Sequence, residues 1–156
     1  MQQFVPFDVS ARQHARDRAA GLIAGRGQVL AHVADELAAR RDLLGEAPDG
    51  PELVIGLLHP PAPHVAGMDP SPLLAARYGG TAGEEDARHF DDASFARVTA
   101  MMTLHGVNDL PGALLLARRA LLPGGRFQAA LPAGFFVGLL TVYLCSLLDQ
   151  RVHDGG

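Results

Sequence analysis

The chain has 156 residues, 48% of them hydrophobic and 19% charged, a composition that is globular and excludes a disordered chain. Its length fits one domain able to bury roughly two-thirds of its unfolded surface. A net charge of −4 argues against a nucleic-acid partner, and a single cysteine, Cys145, excludes an internal disulfide and a cysteine-based zinc site.

The opening MQQFVPFDVS lacks the basic and apolar regions of a secretory signal, so the expected compartment is the cytoplasm. Ser10 with Gln13 fits a capping box, which predicts a helix from about Ala11 to Ala20. Gly21, Gly25 and Gly27 weaken its continuation. A second helix is predicted from about Gln28 to Leu44, with Leu30, Val33, Leu37 and Leu44 on its apolar face. Arg12, Arg16 and Arg18 read as a solvated face.

After a loop at Gly45 to Pro51, Glu52 to Leu58 is a short apolar strand candidate. Gly56 to Asp69 is too short for a crossover helix plus a second strand, since a parallel crossover alone needs about a dozen residues. Ser71 and Pro72 predict an N-cap and a first-turn proline, starting a helix to about Tyr78 that ends at Gly79-Gly80. Val98 to Leu104 is an apolar run suited to a strand. Asn108 or Asp109 can cap a further helix, with Leu110, Leu114, Ala117 and Leu121 as its apolar stripe. Pro123 ends it, Gly124-Gly125 turn the chain, and Phe127 to Leu131 suits a buried strand. Strand, helix, strand is a βαβ unit, which builds parallel sheets with right-handed crossovers. Phe135 to Leu148 is free of charge and about fourteen residues long, which predicts a buried helix rather than a membrane span. It either covers the open edge of the last strand or forms a patch for a protein partner or a second copy of the chain.

LHGVNDLPGAL (104–114) followed by RRALLPGGRFQAAL (118–131) resembles class I S-adenosylmethionine (SAM) dependent methyltransferases. It is most similar to the branch of biotin-synthesis-type carrier-protein methyltransferases and the mitochondrial complex I assembly factor that acts as an arginine hydroxylase. That branch reads LHWVNDLPG, so Gly106 stands where a tryptophan is expected. Phe7-Asp8, ARDRAA and VLAHVADELAAR are similar to its N-terminal lead helices, which cover the cleft. The resemblance implies an α/β fold, a Rossmann-like three-layer sandwich. It is abbreviated to about five mostly parallel strands and preceded by N-terminal lead helices. Residues 1–45 would be the lead helices, 46–134 a partial methyltransferase core and 135–156 an apolar C-terminal helix and tail.

The resemblance also implies a site. Gly56 matches the family's first, glycine-rich motif. His59, Pro60 and Pro61 follow where further glycine is expected, and the acidic residue near Leu53-Val54 is missing. Asp69 takes the position of the ribose ligand, and a carboxylate with two acceptor oxygens at a strand's carboxyl end suits a diol. Its other reading is a turn residue. Glu84, Glu85 or Asp86 corresponds to the adenine contact, or else to a solvated acidic loop. Ala96 replaces an expected aspartate. His105 closes the fourth strand, either as an acid/base group or as a hydrogen-bonded structural one. No metal site is expected, because Pro60, Pro61 and Pro63 separate His59 and His64 from any defined geometry. The implied function is SAM-dependent methyl transfer to an unidentified small-molecule or protein acceptor. The alternative is an inactive methyltransferase-like binding or assembly module, or a truncated remnant.

Overall fold

The computed structural model describes residues 5–133 and 138–142. Two helices lead the chain: α1, Val9–Arg26, and α2, Gln28–Arg40, joined by Gly27 alone. The sheet strands are β1 (Glu52–Ile55), β2 (Ala66–Asp69), β3 (Thr81–Ala82), β4 (Phe95–Met101), β5 (Leu121–Ala133) and β6 (Gly138–Val142). Helix α3, Pro72–Arg77, links β2 to β3, and α4, Leu110–Ala120, links β4 to β5. The strand order is β3-β2-β1-β4-β5-β6. The first five are parallel, and β6 runs antiparallel to β5. The order reverses between β1 and β4, so the crevice beyond their carboxyl ends is a topological switch point, where open α/β sheets bind ligands.

The sheet is the middle of three layers. On one face α4 sets Ala113, Ala117 and Ala120 against Leu53, Ile55, Val98 and Phe127. On the other, α2 sets Val33 and Leu37 against Met101 and Ala130. Ala20 of α1 packs with Leu57 and Leu74, and Ile23, Val54, Leu58 and Tyr78 close around them.

Local chemistry explains most element boundaries. Ser71 caps α3 by accepting from the Leu74 amide, with Pro72 in the first turn. Asp109, not Asn108, caps α4 by accepting from the Gly112 amide at 2.9 Å. Asn108 instead accepts from the Phe7 amide at 2.8 Å and donates to its carbonyl at 3.0 Å. Gly56 sits at φ +94°, and a Cβ there would lie 2.2 Å from the Met101 carbonyl oxygen. Only glycine lets the end of β1 pass so close to the end of β4.

Four expectations are corrected. Helix α1 is capped by Asp8, whose carboxylate accepts from the Ala11 amide at 3.0 Å, and it continues through Gly21 and Gly25. Docking of its inner face offsets the roughly 1 kcal/mol that each interior glycine costs. Of the charge run Arg12, Arg16 and Arg18, only Arg18 lies on a solvated face, because Arg16 is buried at 8% exposure and Arg12 is half-buried. Of the predicted α4 stripe, Ala117 is buried and Leu114 and Leu121 pack against the core, but Ala113 and Ala120 join them and Leu110 is 39% exposed, because small side chains let the helix lie close on the sheet. The predicted C-terminal helix is a strand over Gly138–Val142. It pairs the outer side of β5 from Ala133↔Gly138 to Ala129↔Val142, so β5 is not an open edge. Unpaired donors and acceptors along an edge strand favour that pairing. The other residues of the predicted helix, 135–137 and 143–148, lie outside the described residues.

No helix forms between β1 and β2, as the short spacing predicts. Residues 56–65 make the whole crossover.

Candidate functional site

Of the candidates named from the sequence, Asp69, Glu84, Glu85 and His105 bring side chains to the carboxyl ends of strands, and Gly56 and Asp86 do not. Asp69 is the last residue of β2, Glu84 and Glu85 follow β3, and His105 lies in a 3-10 turn, Leu104–Gly106, just after β4. Gly56 follows β1, and its close neighbour is the β4 backbone, so it fastens two strands together.

Asp69 is fully buried, and its acceptor capacity is filled by the chain itself. Oδ1 accepts from the Ser71 amide at 2.8 Å and from Arg16 Nε at 2.8 Å. Oδ2 accepts from the Leu57 amide at 2.6 Å and from Arg16 Nη2 at 2.6 Å. A carboxylate offers about four lone-pair positions, and all four are taken. Arg16 thus meets Asp69 in the planar two-point geometry that makes Arg–carboxylate pairs strong.

Arg12, one turn earlier on α1, does the same to the second acidic pair. Nη2 donates to Glu85 Oε1 at 2.6 Å, and Nη1 donates to Glu85 Oε2 at 2.8 Å and to Glu84 Oε2 at 2.7 Å. The Thr103 carbonyl also accepts from Nη2, at 2.9 Å, and the Thr103 hydroxyl donates to Glu85. Burial opposes the Arg12 charge, but Glu85 and Glu84 outweigh it and hold its pKa above the ordinary value. The three acidic candidates separate. Glu85 is buried at 4% exposure, Glu84 is half-buried, and Asp86 faces away to accept from the Asp109 amide at the start of α4.

Met102 adopts a left-handed φ of +50°, a turn that aims its carbonyl at Arg16 Nη1. Beneath α1 lies a cavity of about 210 Å³ lined by Arg12, Arg16, Leu58, Thr103, His105 and Gly106 among others. His105 stands exposed at its rim. Partial loss of hydration on the cavity side, then the Arg12 and Arg16 charges, lowers its pKa below 6.5.

The residues missed by sequence reasoning are Arg12, Arg16 and Thr103. The signal for the arginines was their i, i+4 spacing, which puts two guanidinium groups on one helix face. Among the described residues no group of His, Cys, Asp and Glu could hold a metal ion, and no helix is long and apolar enough to cross a membrane.

A parallel sheet with this order and acidic residues at its strand ends defines a nucleotide-type α/β binding fold. The family model described as a methyltransferase domain matches residues 50–129, and the chain belongs to that family, the class I SAM-dependent methyltransferases. A SAM-dependent methyltransferase from Mesorhizobium loti is 25% identical, with a TM-score of 0.50, over 62% of this chain and 52% of that one. A chain in the complex between the Haloferax volcanii Trm112 methyltransferase activator and its partner shares the fold. Its TM-score is 0.57 at 21% identity, over 74% of this chain and 58% of that one. The chain thus spans little more than half the length of these solved structures. No curated protein is similar enough to count as a match.

Proposed function

We propose that the chain binds SAM across the carboxyl ends of β1, β2 and β4 and transfers its methyl group to an acceptor. The single observation that carries this is the placement of two buried carboxylates, Asp69 and Glu85, at adjacent strand ends beside the switch point. Asp69 would accept from the two ribose hydroxyls and Glu85 from the adenine amino group. When bound, SAM would supply an activated methyl on a positive sulfur, for in-line displacement by the acceptor's lone pair with S-adenosylhomocysteine as the leaving group. The contribution of the chain is alignment of the two reactants, and effective molarities make that the larger part of such a step. The compartment we propose is the cytoplasm, supported by the lone cysteine.

A second reading is an inactive methyltransferase-like binding or assembly module. It is favoured by His59, Pro60 and Pro61 in place of a glycine-rich turn and by the saturation of Asp69 by Arg16. Calorimetric titration with S-adenosylhomocysteine decides between them, run on the parent chain and on Arg16→Gln, in which Asp69 has free acceptors. One-to-one binding by either, lost when Asp69→Ala is added, supports the SAM site. No binding by either folded protein overturns it in favour of the inactive module.

A further inference from the structure

The acceptors that the proposed cofactor needs are occupied by this chain's own helix. With α1 docked, every lone-pair position of Asp69 is filled, two of them by Arg16, and both oxygens of Glu85 are held by Arg12. The cavity left beneath α1 is about 210 Å³, below the roughly 300–1,000 Å³ of small-molecule sites. A nucleoside cofactor therefore meets a saturated Asp69 and a Glu85 with both oxygens engaged, beside a cavity of only about 210 Å³, while α1 is in place.

The attachment of α1 suits release. Its buried residues are Arg16 and Ala20, and its apolar attachment is Ala20 with the partly buried Ile23 on Leu57 and Leu74. Its other ties are polar. Arg12 and Arg16 bind their carboxylates, Ser71 donates to Asp17, and Arg77 donates to the Ala20 carbonyl at 2.7 Å. Gly27 alone connects α1 to α2, which stays anchored by Val33 and Leu37. At the other end the Phe7–Asn108 pair is exposed.

Gly106 completes the seat. A Cβ at that position would lie 3.0 Å from Arg12 Nε and 3.4 Å from its Cδ, so a side chain there crowds Arg12 and requires it to shift. The glycine that departs from the resembled LHWVNDLPG pattern is the residue that makes room for the Arg12 guanidinium.

We propose that α1 is a self-occluding plug: Arg16 and Arg12 stand in for the ligand at Asp69 and Glu85, and docking of α1 and binding of an adenosyl ligand exclude one another. This deepens the SAM-site reading and rests on it. The apparent affinity for the ligand is then the intrinsic affinity scaled by the fraction of molecules with α1 released.

The test is amide hydrogen exchange read by mass spectrometry on the full chain, with and without saturating S-adenosylhomocysteine. Arg16→Gln is expected to speed exchange in residues 9–26 by about tenfold, with β4 and β5 amides unchanged, because local opening is uncoupled from the global transition. Gly106→Trp is expected to do the same through Arg12, and it guards against a folding defect peculiar to the first variant. Ligand added to the parent chain is expected to speed α1 exchange as well. Ligand binding that leaves α1 exchange unchanged or slows it overturns the plug and leaves the SAM site standing. Exchange of α1 only together with the sheet core, in parent and variants alike, also overturns the plug. Failure of every variant to bind ligand overturns the SAM-site reading and the plug with it.

Discussion

Asp69 has two tasks that substitution separates. It accepts from the core amides of Leu57 and Ser71, and it pairs with Arg16. Asp69→Ala strips both amides of a buried acceptor and leaves Arg16 facing no charge. A loss of about 2–4 kcal/mol in global stability is expected. Arg16→Gln removes only the tie to α1 and is expected to cost less than about 1 kcal/mol globally, because Asp69 can be solvated once α1 lifts. Urea unfolding of both variants checks this, and equal losses would contradict the division. His105 adds a pH dependence. Its folded-state pKa lies below 6.5, so on acidification the unfolded chain takes up the proton first. Its contribution to stability is therefore fully present above about pH 6.5 and is lost as pH falls through the folded-state pKa. The ring is exposed, so the effect is small. His105→Asn is expected to flatten the fall in stability between pH 7 and pH 5 relative to the parent, read from urea midpoints. Acidic residues at strand ends could be read from the sequence, because the resemblance supplied a position for each. The arginines could not, because a run of charge on a helix does not reveal which face docks.

The elements were readable where local chemistry decides them. Ser71 and Pro72 start α3, Asp109 starts α4, and the apolar positions of α2 face the sheet as predicted. They were not readable where tertiary contacts decide. Stripe counting placed Leu114 and Ala117 on the inner face of α4, where they are, but put Leu110 there in place of Ala113 and Ala120, which close approach to the sheet selects. Leu110→Ala is therefore expected to change stability by less than about 0.5 kcal/mol. Ala117→Leu is expected to cost about 1–3 kcal/mol by overpacking. Denaturant unfolding of the pair checks the rotation of the helix, and the reverse ranking would contradict it. The joint of β1 and β4 is equally specific. Gly56→Ala must place a Cβ against the Met101 carbonyl at a positive φ, and a loss of about 3 kcal/mol is expected in the same assay. The strand Gly138–Val142 was missed because an apolar run of that length suits a helix or a strand, and only the free side of β5 settles it.

The fold as a three-layer α/β sheet followed from the βαβ pattern and the resemblance, and the five parallel strands agree. The resemblance implied lead helices over the cleft, and what a linear reading could not supply is that α1 meets the strand-end carboxylates through Arg12 and Arg16. There it closes the crevice that the sheet order opens. The same two arginines fasten the helix and fill the site, so docking of the helix and occupancy of the site cannot be varied independently. A crystal structure of the chain with S-adenosylhomocysteine tests this most directly. The account predicts ribose hydroxyls within about 2.7 Å of the Asp69 carboxylate and the Arg16–Asp69 pair broken. Ligand bound elsewhere, or bound with Arg16 still on Asp69, would contradict it.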